Sequence, residues 1–220
     1  MASSLPALSL LETRVLGVLI EKQHTVPDAY PLTLNALVAG CNQKTSRDPV
    51  LDASDAEVQA SVDHLRALSL IVESSGGRVM RYAHNVARVL DVPSQSVALL
   101  AALMLRGPQT VSELRSGTER IHRFADASSV EGFLHELATR QAGALVAELP
   151  RQPGTRETRW RHLLSGAQQD DASTADIPNS EILALSEVAA LRTNLARVEG
   201  ELSALKDVVA KLCAELGIRA

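Results

Sequence analysis

The residues of this 220-residue chain best suited to metal or nucleophilic chemistry are six histidines and two cysteines, and their spacing supports neither. His24, His64, His84, His122, His135 and His162 never fall as HxH or HxxxH, the spacings that put two imidazoles on one strand or helix face. Cys41 and Cys213 form no CxxC, so neither a zinc ribbon nor a disulfide scaffold is expected. Cys41 admits a reactive-thiol reading and a buried-hydrophobe reading, the second being the ordinary behaviour of a free cysteine. The sequence carries no Gly-rich phosphate loop and no nucleophile elbow. No enzyme and no cofactor are expected.

The cations offer a different chemistry, the neutralisation of phosphate. Lys44 and Arg47 stand in a polar loop, and Arg78 and Arg81 frame a Gly-Gly turn. Arg115, Arg120 and Arg123 cluster further on, and Arg151, Arg156, Arg159 and Arg161 crowd a second turn with only Glu157 against them. These residues are the candidate nucleic-acid contacts, through the backbone rather than the bases. The opposing reading is a solvated surface with scattered ion pairs. Residues 1–164 hold 17 Lys/Arg and 17 Asp/Glu, whereas residues 165–220 hold five and nine, so the net charge of −4 lies in the tail. That balance excludes a polybasic nucleic-acid coat. The densest polar motif, Asn42-Gln43-Lys44-Thr45-Ser46-Arg47-Asp48-Pro49, suits phosphate or base edges. It equally suits a helix cap at Asn42 followed by a turn at Asp48-Pro49.

Helical spacing supplies the elements that must position these groups. Ser9–Glu21 reads as a helix, with Ser9 and Glu12 as a capping box and Leu11, Val15, Leu16, Leu19 and Ile20 on one face. A second helix is expected to start at Pro31, a first-turn position, and a third is capped by Ser54 with Val58, Val62, Leu65 and Leu68 inward. Leu70–Glu73 and Arg78–His84 read as a hairpin around Gly76-Gly77. The order repeats: a helix over Pro93–Leu105, a short one opening at Thr110, a third capped by Ser128-Ser129, and a hairpin of Leu145–Leu149 with Arg159–Leu164. Val58, Val62 and Leu65 match Val130, Leu134 and Leu137 at one offset, and Arg81-Tyr82-Ala83-His84 matches Arg159-Trp160-Arg161-His162, which points to an internal duplication. His84 and His162 then share a strand position, where bonding within each hairpin is expected over metal ligation. The third helices carry Asp55, Glu57 and Asp63 beside Arg66, and Glu131 and Glu136 beside Arg140, which makes them poor readers of a phosphate-lined groove.

Aromatics are only 2% of the chain, so the core must be aliphatic. The predicted fold is mainly α with small β wings (α+β): tandem winged-helix domains at 1–90 and 91–164, a flexible linker at 165–180 and a coiled-coil helix at 181–220. The helix is expected because Val188, Leu191, Leu195, Val198, Leu202, Leu205, Val209, Leu212 and Leu216 alternate spacings of three and four without a break, a dimerisation seam. Glu187 facing Arg192 and Glu201 facing Lys206 on a partner favour a parallel homodimer, with a higher oligomer as the alternative. The longest apolar run, Val97–Leu105, is about half of the ~20 residues a bilayer requires. No membrane span is expected, and no signal peptide, because no basic segment precedes the apolar residues at the N-terminus; the two cysteines without a CxxC read as a reduced, cytoplasmic chain.

Several stretches resemble a known family. They are Arg14-Val15-Leu16-Gly17-Val18-Leu19-Ile20-Glu21-Lys22, Tyr30-Pro31-Leu32-Thr33-Leu34-Asn35-Ala36-Leu37 and Cys41-Asn42-Gln43-Lys44-Thr45-Ser46-Arg47-Asp48-Pro49-Val50, with Leu105-Arg106-Gly107-Pro108-Gln109-Thr110 and Leu149-Pro150-Arg151-Gln152-Pro153-Gly154 in the second half. Over about residues 9–164 the chain is similar to the YceH-like family of uncharacterised bacterial proteins. The resemblance implies tandem winged helices and no activity. Two functions remain open: a dimeric DNA-binding or transcription-associated regulator that touches the backbone through basic wings, and a scaffold that binds a partner protein through acidic third helices and the coiled coil.

Overall fold

Ser9 begins the first helix because its hydroxyl accepts from the Glu12 amide while the Glu12 carboxylate accepts from the Ser9 amide. The computed structural model describes residues 6–75, 79–151, 154 and 157–166. The heptad seam, the linker beyond Gly166, Arg78 and Arg156 lie outside the described residues. In chain order the elements are α1 (Leu10–Thr25), a 3-10 turn (Pro27–Ala29), α2 (Leu34–Cys41), α3 (Asp55–Ala67), β1 (Ile71–Ser74), β2 (Arg81–His84), α4 (Val86–Leu90), α5 (Ser94–Arg106), α6 (Val111–Thr118), α7 (Ala127–Ala138), β3 (Val146–Glu148) and β4 (Trp160–His162). The fold is mixed α+β, with two small antiparallel sheets among helices.

The two hairpins share one register. Ile71 faces His84 and Glu73 faces Tyr82 in the first; Val146 faces His162 and Glu148 faces Trp160 in the second. Each return strand is also paired by a lone bridge from the segment before the short second helix: Leu32 exchanges both backbone bonds with Tyr82, and Gln109 does so with Trp160. Thr33 and Thr110 then cap α2 and α6. The expected start of α2 at Pro31 is corrected by this bridge. Both backbone groups of Leu32 are spent on Tyr82, so helical turns begin only after Thr33. At α7 the cap is Asp126, not Ser128-Ser129, because Asp126 is the residue in the extended conformation and its carboxylate takes the Ser129 amide. The short α4 is an addition to the expected order. It is five residues long, and its last carbonyl, Leu90 O, accepts from Arg140, two residues beyond α7.

The described residues fall within one compact unit. Its core passes from one half to the other through α1 and α5. Every residue of α1 from Glu12 to Ile20 is buried, as is every residue of α5 from Ser96 to Leu105, the pattern of helices enclosed all round. Gly17 lets the two approach, since a Cβ there would lie 2.9 Å from Leu105 Cγ. Gly40 does the same between α2 and α1, where a Cβ would lie 2.5 Å from Val18 Cγ1. Gly→Ala within a helix ordinarily stabilises by about 1 kcal/mol. At Gly40 the neighbour is β-branched and stiff, so Gly40→Ala is expected to cost about 1–3 kcal/mol instead. A lower urea midpoint would show this; a raised one would mean that α1 and α2 separate freely.

Candidate nucleic-acid interface

The polar loop after α2 closes on itself. Asn42 Nδ2 donates to Ala53 O and Asn42 Oδ1 accepts from Ala53 N, both at 2.8 Å, so one amide side chain pins the loop's two ends. Arg47 turns inward. Its Nε donates to Gly40 O at 3.2 Å, and Nη1 and Nη2 reach the two Glu21 carboxylate oxygens at 3.2 and 2.6 Å. Its side chain has no exposed surface. Arg14, buried in α1, donates to Cys41 O at 3.2 Å and Pro49 O at 2.7 Å. Two guanidiniums thus satisfy the carbonyls at the end of α2, where the helix dipole favours positive charge. Among the described residues, only Glu21 balances them as a directly paired carboxylate. Arg14 Nε has no partner. Burial pushes the Cys41 thiol up to about 12, against the smaller pull of Arg14 and Arg47. Cys41 is therefore a protonated core thiol at neutral pH, not a nucleophile. Lys44 is the cation this loop leaves exposed.

The paired arginines of the two hairpins share a structural task. Arg81 Nη1 donates to Pro31 O at 2.8 Å, and Arg159 Nη1 donates to Pro108 O at 2.9 Å. Each clamps the segment that leads into a capping threonine. Arg159 also meets Glu113 at 3.2 Å. The two histidines at the matching position are held neutral: burial, with His24 beside His84 and Arg161 beside His162, pushes each down to about 4. His84 Nε2 meets Gln23 Oε1 at 2.6 Å, and Nδ1 of both rings is buried without a partner. At His84 the position therefore serves packing between β2 and α1, and among the described residues no group of three metal-ligating side chains forms.

The third helices are acidic outward. Asp55, Glu57 and Asp63 are exposed on α3, and Glu131 and Glu136 on α7. Arg66 is taken by Glu73 at 2.8 Å and by Asp63 at 3.6 Å. Three exposed cations gather instead around the α6–α7 turn. Arg115, Arg120 and Arg123 are all exposed there. Arg115 Nη2 donates to Ala125 O at 3.2 Å; Arg120 and Arg123 have no ion pair among the described residues. Arg115 and Arg123 line a cleft of about 260 Å³ with Ser112, Ser116, Glu119, Phe124 and Ala127. Arg151 is exposed and Arg161 half-buried on the second hairpin, and neither is without an interaction. The structure thus brings Arg115 and Arg123 together and turns Arg47 inward. Composition could not reveal the cleft, because its walls come from a helix and from the loop that folds back over it.

Two halves of three helices and a hairpin, joined through one core and lacking a metal cluster among the described residues, define an α+β protein class by fold rather than by a catalytic site. The model of a family described as a protein of unknown function, DUF480, matches residues 8–155, and the chain belongs to that family. It is 55% identical over 206 residues to a UPF0502 protein of Dechloromonas aromatica, covering 94% of this chain and 96% of that one. It is 54% identical over 217 residues to a UPF0502 protein of Methylibium petroleiphilum (98% and 93%). A UPF0502 protein of Burkholderia thailandensis is 56% identical over 214 residues (97% and 91%). The resemblance carried by the motifs of α1, the α2 region and the polar loop is therefore a family membership. Among the described residues no helix is long and apolar enough to cross a membrane.

Proposed function

We propose that this chain is a dimeric tandem winged-helix protein that binds duplex DNA through backbone phosphates. The observation that carries the reading is the basic cluster at the α6–α7 turn, in which Arg120 faces solvent without a carboxylate ion pair among the described residues. Support comes from the repeated helix–helix–helix–hairpin order and from the lone bridges that add a third strand segment to each hairpin. The phosphate contacts fall to the α6–α7 turn and to the second hairpin, with Arg151 and Arg156, rather than to the acidic third helices. Arg47, Arg81 and Arg159 hold the fold together through Glu21, Pro31 O and Pro108 O. The dimer forms along the heptad seam Val188–Leu216, whose unbroken three-four spacing is the support for it.

Fluorescence anisotropy with a random duplex tests the reading. Binding is expected to be tight at low salt and to weaken steeply with added salt. Replacing Arg120, Arg151 and Arg156 together by alanine is expected to flatten the log-log salt slope by ~0.9 for each phosphate no longer neutralised. Glu131→Gln and Glu136→Gln are expected to leave binding intact or tighten it. Absence of binding at low salt would favour the second reading, a scaffold that binds a partner protein through its acidic third helices. The capture of Arg66 by Glu73 and Asp63, which leaves the outer face of α3 acidic, is what supports that alternative.

A further inference from the structure

We propose that the cleft between α6 and α7 is a binding site for the phosphate of a small phosphate monoester. This goes beyond the DNA reading and does not rest on it. The cleft holds about 260 Å³. That is just under the ~300–1,000 Å³ of drug-sized pockets, so it suits a phosphate on a short organic group, not a dinucleotide.

Its chemistry is that of an oxyanion site with an apolar floor. Arg115 spends one nitrogen on Ala125 O at 3.2 Å, which fixes its plane at the wall and leaves its other donors available. Arg123 lines the same cleft with no hydrogen bond or ion pair among the described residues. Planar guanidiniums match phosphate oxygens in pairs, and a charge-assisted bond is about twice as strong as a neutral one. Phe124 forms the floor. It is held edge-on to His122 at 4.7 Å and to Phe133 at 6.0 Å, a fixed apolar surface for the ester group. Acidic groups limit the ligand. Glu119 lines the rim, and Glu157 takes the Ser112 hydroxyl at 3.3 Å, so charge spread beyond the two arginines is repelled. A single phosphate is favoured over a polyphosphate. The matching face of α2 in the first half carries Asn35, Val38 and Ala39, with no cation. The cleft is therefore a feature of this half, not a by-product of the repeated fold.

The test titrates the full 220-residue chain with phenyl phosphate by isothermal calorimetry. Saturable one-site binding is expected. Arg115→Ala and Arg123→Ala should each weaken it by about tenfold or more. Glu119→Gln should tighten it severalfold, and Arg88→Ala, remote on α4, should leave it unchanged. Both arginines are exposed, so thermal midpoints of the two variants should match the parent and separate a binding defect from a folding defect. A short random duplex added to the complex distinguishes the sources of phosphate. Displacement of phenyl phosphate assigns the cleft to the DNA backbone and overturns the monoester site; joint binding assigns it to a free monoester. Phenyl phosphate binding without any DNA binding supports the cleft and would retire the DNA reading alone. No phenyl phosphate binding, or binding indifferent to both arginine variants, overturns the cleft.

Discussion

Replacing Arg47 by alanine is expected to remove about 3–5 kcal/mol of stability, the range for stripping one partner from a buried ion pair. The change leaves the Glu21 carboxylate, half-buried, without its guanidinium, and leaves Gly40 O at the end of α2 without its donor. Replacing both charges together, as Arg47→Met with Glu21→Leu, is expected to recover much of that stability, because no uncompensated charge remains. The pH dependence identifies the partner. Burial alone would raise the Glu21 carboxyl, but the hydrogen bonds and charge of Arg47, helped by Lys22, bring it below its ordinary value. A depressed carboxyl contributes stability above its unfolded value of about 4.3 and loses it as pH falls through the folded value. In Arg47→Ala burial dominates, so the sign reverses and protonating Glu21 favours folding. The stability gap between parent and variant should therefore narrow as pH falls from 7 toward 4. A gap constant over that window would show that Arg47 and Glu21 are not coupled in solution.

Why the sequence exposes some of this and hides the rest follows from the range of each interaction. Ser9 with Glu12, Ser54 with Glu57 and Thr110 with Glu113 lie three residues apart, so their capping boxes can be read without knowing the fold. The inward faces of α3 and α7 are equally legible, because Val58, Val62 and Leu65 repeat as Val130, Leu134 and Leu137 and all are buried. Arg47 is different. In sequence it sits in a polar run that reads as a solvated loop, and its carboxylate partner is 26 residues away. A signal does exist: Arg14, Val18 and Glu21 follow spacings of four and three and share one face of α1, and charges bracketing a buried valine foretell charged partners opposite. Arg81 and Arg159 mislead for a related reason. Their repetition in both halves suggests a common ligand, whereas each meets a proline carbonyl before a capping threonine. Repetition marks a need of the fold as readily as a need of a ligand. The α6–α7 cleft leaves only a weak trace, the cluster of three arginines, because its volume depends on how the chain returns over α6.

Leu105→Ala is expected to cost about 2–5 kcal/mol and, more tellingly, to do so as part of one cooperative transition across both halves. Leu105 stands where α5 meets the first half. Its side chain fills the space that Gly17 leaves open on α1, and its carbonyl accepts from the Asp48 amide at 2.9 Å. The buried side chains of the two halves form one continuous cluster, from Leu8 through Leu100 to Leu164. Opening either half would expose the apolar surface of α1 or α5 to water, a loss that the remaining half could not make good. The chain's single tryptophan, Trp160, is buried on β4 and reports the second half by fluorescence. Arg47 lies in the first half, in the loop before α3. If the halves unfold together, Arg47→Ala and Leu105→Ala must both lower the urea midpoint read from Trp160, and circular dichroism must follow the same curve. If the halves are independent domains, Arg47→Ala will leave the Trp160 midpoint where it was while circular dichroism splits into two transitions. The shared α1–α5 packing requires the first outcome, since no residue from Ser96 to Leu105 has a solvent-facing side to fall back on once α1 has gone.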